Sequence, residues 1–221
     1  MPAPIIYRFA LWLPAVYPAS NVWSHIMERF ASPTCYLELM ENDVMEPSFD
    51  LRERQAPIKD RFKKDPQSAK TTISVRSVTE GFHPMRSTIA ADANPSWTWN
   101  STAHPQAGGF GDAPCSGDLL LASLAACQEV TLRMVAAAMG IQLDKVEIVV
   151  EGDMDFQGTM GTDPDTPVGF TSIRTRVNVT ADAPADRLER LAQRAEKYCV
   201  VNATLRHSPE MTTEINATPI S

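Results

Sequence analysis

At 221 residues the chain has room for one domain of ordinary size, or for one domain with an arm. A hydrophobic fraction of 43% against 21% charged residues is the balance of a soluble globular protein and argues against disorder throughout. A net charge of −7 without a basic run argues against a nucleic-acid binder, and four scattered cysteines argue against a disulfide-stapled scaffold.

Residues 1–44 are rich in aromatics and punctuated by Pro2, Pro4, Pro14, Pro18 and Pro33. They read as an N-terminal extension, poorly ordered or artefactual, with one short helix candidate at Val22–Phe30. Translation from Met45 is the matching expectation, and a native peptide from before Met45 would end it. The apolar stretch Ile5–Tyr17 is broken by Arg8 and Pro14, and no segment reaches the ~20 apolar residues of a membrane span. With no basic leader region and no Ala-x-Ala site, no secretory signal is expected. The Asn-x-Ser/Thr triplets at Asn100, Asn178, Asn202 and Asn216 then read as chance, and the thiols are expected to be free in a reducing cytoplasm. Residues 45–70 carry Arg52, Arg54, Lys59, Arg61, Lys63 and Lys64 and read as a charged helical arm ending before Pro66.

From Thr71 the pattern changes to strands, so 71–221 reads as the folded domain. Thr71–Thr79 alternates, with Ile73 and Val75 on one face and Arg76 on the other. Arg86–Ala93 suits a hairpin partner joined around Gly81, and Trp97–Trp99 a third short strand. Pro105–Asp112 is a glycine-rich loop.

The most distinctive stretch follows: Ala113-Pro-Cys-Ser-Gly-Asp-Leu-Leu-Leu-Ala-Ser-Leu-Ala-Ala-Cys127. Ser116 or Asp118 suits a helix cap, and Gly140 suits its stop, so a helix is expected to run to about Met139. Leu120, Leu124, Cys127, Thr131, Met134 and Ala138 fall on one stripe with Cys127 at its middle. The first half of this helix carries no charge beyond Asp118 and is expected to be buried on most sides; Glu129 and Arg133 are spaced to pair.

Val146, Ile148 and Val150 mark a strand running to about Asp155. A polar turn region at Gly158–Pro167 separates it from a strand over Val168–Thr180, with Ile173, Thr175, Val177 and Val179 facing one way and Arg174 and Arg176 the other. A helix beginning near Pro184 carries Leu188, Leu191, Ala192, Ala195 and Cys199 on its inner face. Glu210–Ala217, with Met211, Thr213 and Ile215 alternating, is a last strand candidate. Runs of strands with two separated helices indicate an α+β fold.

No phosphate-binding or dinucleotide motif is present, since Gly108-Gly-Phe-Gly111 lacks the flanking strand. No CxxC or HxxxH pair suggests a metal, so no cofactor is expected, and His25, His83, His104 and His207 are scattered. Cys127 and Cys199 remain. Patterning alone favours small core residues, because free cysteine is among the most buried residue types. A redox reading needs the two thiols to meet, which two helices packed by their inner faces permit. It also needs a thiolate. Cys127 lies too far inside its helix for that helix's N-terminus to activate it, so a cation is expected beside it. Lowering a thiol by two units from ~8.5 takes about 2.7 kcal/mol, within reach of one close arginine. Arg76, Arg86, Arg174 and Arg176 are the candidates, each otherwise a surface arginine.

The segment Ala113–Cys127 resembles the stretch before the reactive cysteine of the OsmC/Ohr family, in a subgroup with Cys115-Ser-Gly-Asp118. The tail from Asp182 through Leu188-Glu-Arg-Leu191 to Tyr198-Cys199 resembles its second cysteine helix, and Pro167–Arg176 the strand between. The likeness covers Thr71–Ser221. It implies an OsmC-like fold in which antiparallel sheets wrap two long central helices of an intertwined homodimer. It implies thiol-dependent reduction of organic or inorganic hydroperoxides in the cytoplasm, with a dithiol or redoxin as reductant and neither nucleic acid nor membrane as partner. By the same likeness Cys127 is the peroxidatic thiol and Cys199 the resolving one. A carboxylate near the start of the Cys127 helix would orient an arginine from the N-terminal strands. Only Asp118 can serve as that carboxylate, and Arg76 or Arg86 as the arginine. Cys115, an added thiol, is an alternative resolver or a packed loop residue, and His104 lines the same entrance or only its loop. A dimer of this fold that binds an apolar small molecule with little turnover is the alternative.

Overall fold

The computed structural model describes residues 50–78 and 83–218. The N-terminal extension, the Val22–Phe30 helix and the turn at Gly81 lie outside the described residues. In chain order the elements are α1 (Leu51–Lys64), β1 (Val75–Ser77), β2 (Arg86–Ala91), β3 (Asn94–Thr102), α2 (Ser116–Met139), β4 (Leu143–Asp153), α3 (Phe156–Met160), β5 (Ser172–Ala181), α4 (Ala185–Tyr198) and α5 (Val200–Arg206). Strands β1-β2-β3 form one antiparallel sheet and β4-β5 a second. This is an α+β architecture.

Helix α1 starts at Asp50, whose carboxylate accepts the Arg52 and Glu53 amides, and ends ahead of Pro66. Arg52 also donates to the Ala138 carbonyl at the C-terminus of α2, and Arg187 donates to Met139 O at 2.7 Å. Two cations on the last carbonyls complement the helix dipole. Gly140 stops the helix in the left-handed region at φ 65.

The β4–β5 ladder shows the alternation read from sequence. Val146 lies opposite Val179, and Ile148 opposite Val177. The other face pairs polar groups: Asn178 donates to Glu147 at 2.7 Å, Arg176 to Glu151 at 3.3 Å, and Arg174 binds Asp153. Beneath the apolar face, Leu132 and Ala136 of α2 pack with Ile141, Leu191 and Ala195 as the buried core. Gly152 makes room for an aromatic: a Cβ there would lie 2.6 Å from the Phe170 ring and 3.3 Å from Leu121.

Several expectations are corrected. The first strand spans only Val75–Ser77; ahead of it the contact with β2 dwindles to Ser74, whose carbonyl accepts the Asp92 amide at 3.2 Å. The third runs over Asn94–Thr102 and not Trp97–Trp99; Pro95 at its start obscured the strand pattern. The polar turn region holds the short helix α3, which Asp155 caps by accepting the Gln157 amide at 2.9 Å. Strand β5 starts at Ser172, opposite the end of β4 at Asp153, and not at Val168. Glu210–Ala217 forms no strand, for it has no neighbour to pair with among the described residues, and Met211 and Ile215 are exposed.

Helix α2 also differs from expectation. Its first half is largely exposed; the buried positions are Leu124, Leu132 and Ala136, and the inner face is rotated from the predicted stripe, leaving Leu120, Met134 and Ala138 exposed. By length and composition this 24-residue helix is apolar enough to cross a membrane, contrary to the sequence reading that no segment is. Its core contacts with Leu191 and Ala195 show what one side of it covers instead.

Candidate functional site: two facing thiols

Cys127 lies in the twelfth position of α2, half-buried. Cys199 sits where α4 ends and α5 begins, acting as the C-cap of one helix and the N-cap of the next. It is fully buried, with 0% exposure. Its backbone N–H donates to Glu196 O at 3.4 Å, and its carbonyl accepts the Ala203 amide at 3.0 Å. Both sulfurs are free thiols.

The side chains of the two cysteines face each other, and their acidities are driven apart. Burial acts to raise the Cys127 pKa. Opposing it are the N–H of Val201, the Cys199 thiol, the N–H of Val200 and the Thr131 hydroxyl, and together they hold Cys127 below the ordinary thiol value. Cys199 is pushed up, first by burial and then by the neighbouring Cys127, with the Asn202 and Val201 amides acting the other way. A pair so arranged makes Cys127 the readier of the two to ionise and Cys199 the readier to keep its proton.

Within this chain the groups acting on Cys127 differ from the arginines the sequence suggested. Among the described residues, no arginine is among the main influences on Cys127. Arg76 pairs with Asp92 at 3.3 Å and is 71% exposed. Arg86 pairs with Asp112 at 2.5 Å and stands 5.0 Å over the Phe110 ring. Arg174 and Arg176 are held by Asp153 and Glu151. In place of a cation, Cys127 has the first amides of α5. The N-terminus of its own helix is too distant, but another helix begins beside it, and N-terminal amides have no partner within their helix. Val200, Val201 and Thr131 were missed by sequence reasoning. The helix break at Cys199 carries no glycine or proline to announce it.

The other candidates lie elsewhere. Asp118 belongs to a capping box: its carboxylate accepts the Cys115 N–H at 2.8 Å, while Cys115 Sγ accepts the Asp118 N–H at 3.5 Å. The N-cap of α2 is therefore Cys115, not Ser116 or Asp118. At a 1.5 Å rise per residue, Cys115 lies ~18 Å along the helix from Cys127, too far to resolve it within one chain. Among the described residues no arginine pairs with Asp118; it orders the helix start. His104 Nδ1 accepts the Gln106 N–H at 3.1 Å, and its ring stacks on Phe156 at 4.6 Å, so it is a loop cap. Among the described residues no cluster of three His, Cys, Asp or Glu side chains is arranged to hold a metal.

A half-open groove of about 730 Å³ lies between α2, the β4–β5 sheet, α4 and α5. Leu124, Leu132, Ile148 and Phe170 line it, with Glu196 and Arg206 also on its wall. Gln128 reaches it too, and its buried Oε1 has no hydrogen-bond partner among the described residues.

Residues 109–214 match the family model of OsmC-like proteins. This part of the chain has an OsmC-like fold. An OsmC-like protein from Mycoplasma pneumoniae is similar in structure, at 19% identity and a TM-score of 0.52, covering 63% of this chain and 90% of that one. An OsmC-like protein of unknown function from Vibrio cholerae is similar at 12% identity and a TM-score of 0.50, covering 61% and 94%. These likenesses show that this part of the chain shares their fold. No curated protein matches the chain.

Proposed function

We propose that this protein is a thiol-dependent peroxidase for organic or inorganic hydroperoxides. The observation that carries the reading is the facing Cys127–Cys199 pair with opposed acidities. The Cys127 thiolate attacks the outer peroxide oxygen. The O–O bond breaks, the leaving alkoxide takes a proton as alcohol or water, and Cys127 becomes a sulfenic acid. The protonated Cys199 thiol then condenses with it, forming the Cys127–Cys199 disulfide and releasing water. A dithiol or redoxin restores both thiols, and its own sulfurs end as a disulfide. A reducing cytoplasm belongs to the proposal, since the cycle starts from free thiols.

Homodimerisation belongs to it as well. Leu120, Val130 and Met134 on α2 are exposed, as are Val75, Trp97 and Trp99 on one face of the three-stranded sheet. Exposed apolar residues in such number favour a covered state. In a dimer, Arg76 or Arg86 remains the candidate for a cation near Cys127, with Asp118 as its carboxylate. Replacing Cys127 by Ser and following dithiol-dependent consumption of an organic hydroperoxide tests the enzyme reading: activity is expected to vanish, and unchanged consumption would reject it.

The groove supports a second reading. Its apolar walls suit an apolar small molecule. A chain that binds such a molecule while its Cys127→Ser variant behaves as wild type would be a binder and not a peroxidase.

A further inference from the structure

The helices cover the inner face of the β4–β5 sheet over only part of its length. At one end Val146 and Val179 pack against the buried core. Further along the same face, Ile148, Val177 and Ile173 line the groove instead, and Val177 is 43% exposed. Phe170 stands at the far end of that face and also lines the groove. Its ring lies over Gly152, the last inward position of β4, and against Gly117 in the first turn of α2. A Cβ at these two positions would lie 2.6 Å and 3.3 Å from ring carbons, so two positions without side chains seat the ring. On the floor, Leu124 and Leu132 span ~12 Å of α2. The space suits a slender chain laid along that helix.

The other wall is α4, and its charge is uneven. Among the described residues lining the groove Arg206 is the one cation, and Glu196 holds it at 2.7 Å. Glu189 lies two turns earlier on the same face of α4 and meets no cation among the described residues. Gln193 Nε2 reaches its Oε1 at 3.5 Å, while the adjacent Arg190 pairs with Asp186. Glu189 also stands at the end away from Phe170. It is close in the helix to Leu191, which packs with Leu132, whereas the Phe170 ring lies by Leu121, three turns back along α2.

We propose that the groove binds a slender apolar chain carrying an ammonium head, with the chain end stopped by the Phe170 ring and the head in water beside Glu189. The inference rests on the groove-binding reading and not on the peroxidase. Charge complementarity selects the head: two glutamates face one arginine on the wall, in a chain whose net charge is already −7. An anionic head would meet that excess, and a neutral one would gain nothing from it. Burial of the chain supplies the affinity, and the exposed ion pair adds selectivity.

The test is calorimetric titration of the full chain with straight-chain amines from hexylamine to dodecylamine, against the alcohols of the same lengths. Affinity is expected to rise about fourfold per methylene and to level off where the chain meets Phe170. Each amine is expected to bind about three- to fivefold more tightly than its alcohol. Glu189→Gln should abolish that preference and leave the dependence on length. Phe170→Ala should move the levelling-off to longer chains and leave the preference. Should Phe170→Ala fail to fold by circular dichroism, Phe170→Leu shortens the stop and is read in the same way. Equal binding of amine and alcohol, or a levelling-off that the Phe170 variants do not move, overturns the proposal and leaves an apolar binder standing. No binding at any length overturns it together with the groove-binding reading.

Discussion

Cys199 meets Cys127 from the single residue that closes α4 and opens α5. The junction does two things together. It buries the Cys199 thiol, and it turns the amides of Val200 and Val201 towards the other sulfur. Alkylation of the native chain is accordingly expected to modify Cys127 at lower pH than Cys199, with Cys127 titrating below the ordinary thiol value and Cys199 above it. Site-resolved mass spectrometry across pH 6–10 checks the order, and the reverse order would refute the assignment of attacking and resolving roles.

Removing the resolver is expected to strand the intermediate. In Cys199→Ser, one equivalent of hydroperoxide should leave Cys127 as a sulfenic acid that a dimedone-type probe traps, where the wild type gives a disulfide. Cys115, ~18 Å along the same helix, is expected not to replace Cys199 within one chain.

Gly152 and Phe170 set a packing prediction. Because a Cβ at 152 would lie 2.6 Å from two ring carbons, Gly152→Ala is expected to destabilise by roughly 1–3 kcal/mol in chemical denaturation. Adding Phe170→Leu should recover part of the loss. Wild-type stability in the single variant would show that the ring moves freely.

How much of this was legible follows from where the signals are local. The long helix, its stop at Gly140 and the β4–β5 alternation follow from periodicity and one glycine, and the structure shows each. The inner face of α2 was misjudged because an apolar helix with few charges does not reveal which side is covered. The pattern Leu120–Ala138 and the real core side of Leu132 and Ala136 differ by a rotation. The extent of β1 and the fate of Glu210–Ala217 depend on whether a neighbour exists to pair with, which is a non-local fact. At the site, the two cysteines were legible as inward-facing residues. Their activators were not, because backbone amides of any sequence can serve, and the Cys199–Val200 break resembles a continuing helix.

Acid is expected to weaken the fold through its carboxylates. Hydrogen bonds from Arg174 and Ser172 hold the Asp153 pKa well below its ordinary value, and Arg86 does the same for Asp112. A depressed folded-state pKa adds stability above the unfolded value near 3.8, and that stability is lost as pH falls through the folded one. Denaturation midpoints are therefore expected to fall as pH drops below about 4. Asp153→Asn should show a shallower fall, and an equal fall in both proteins would assign the acid sensitivity to other groups.

The central claim is that two sulfurs on neighbouring helices form one redox unit. Its most direct measurement is the mass of every cysteine-containing peptide after one equivalent of an organic hydroperoxide is added to the reduced protein. The account predicts a Cys127–Cys199 disulfide with Cys115 still reduced. Cys127 and Cys199 both recovered as free thiols, with the peroxide untouched, would contradict it.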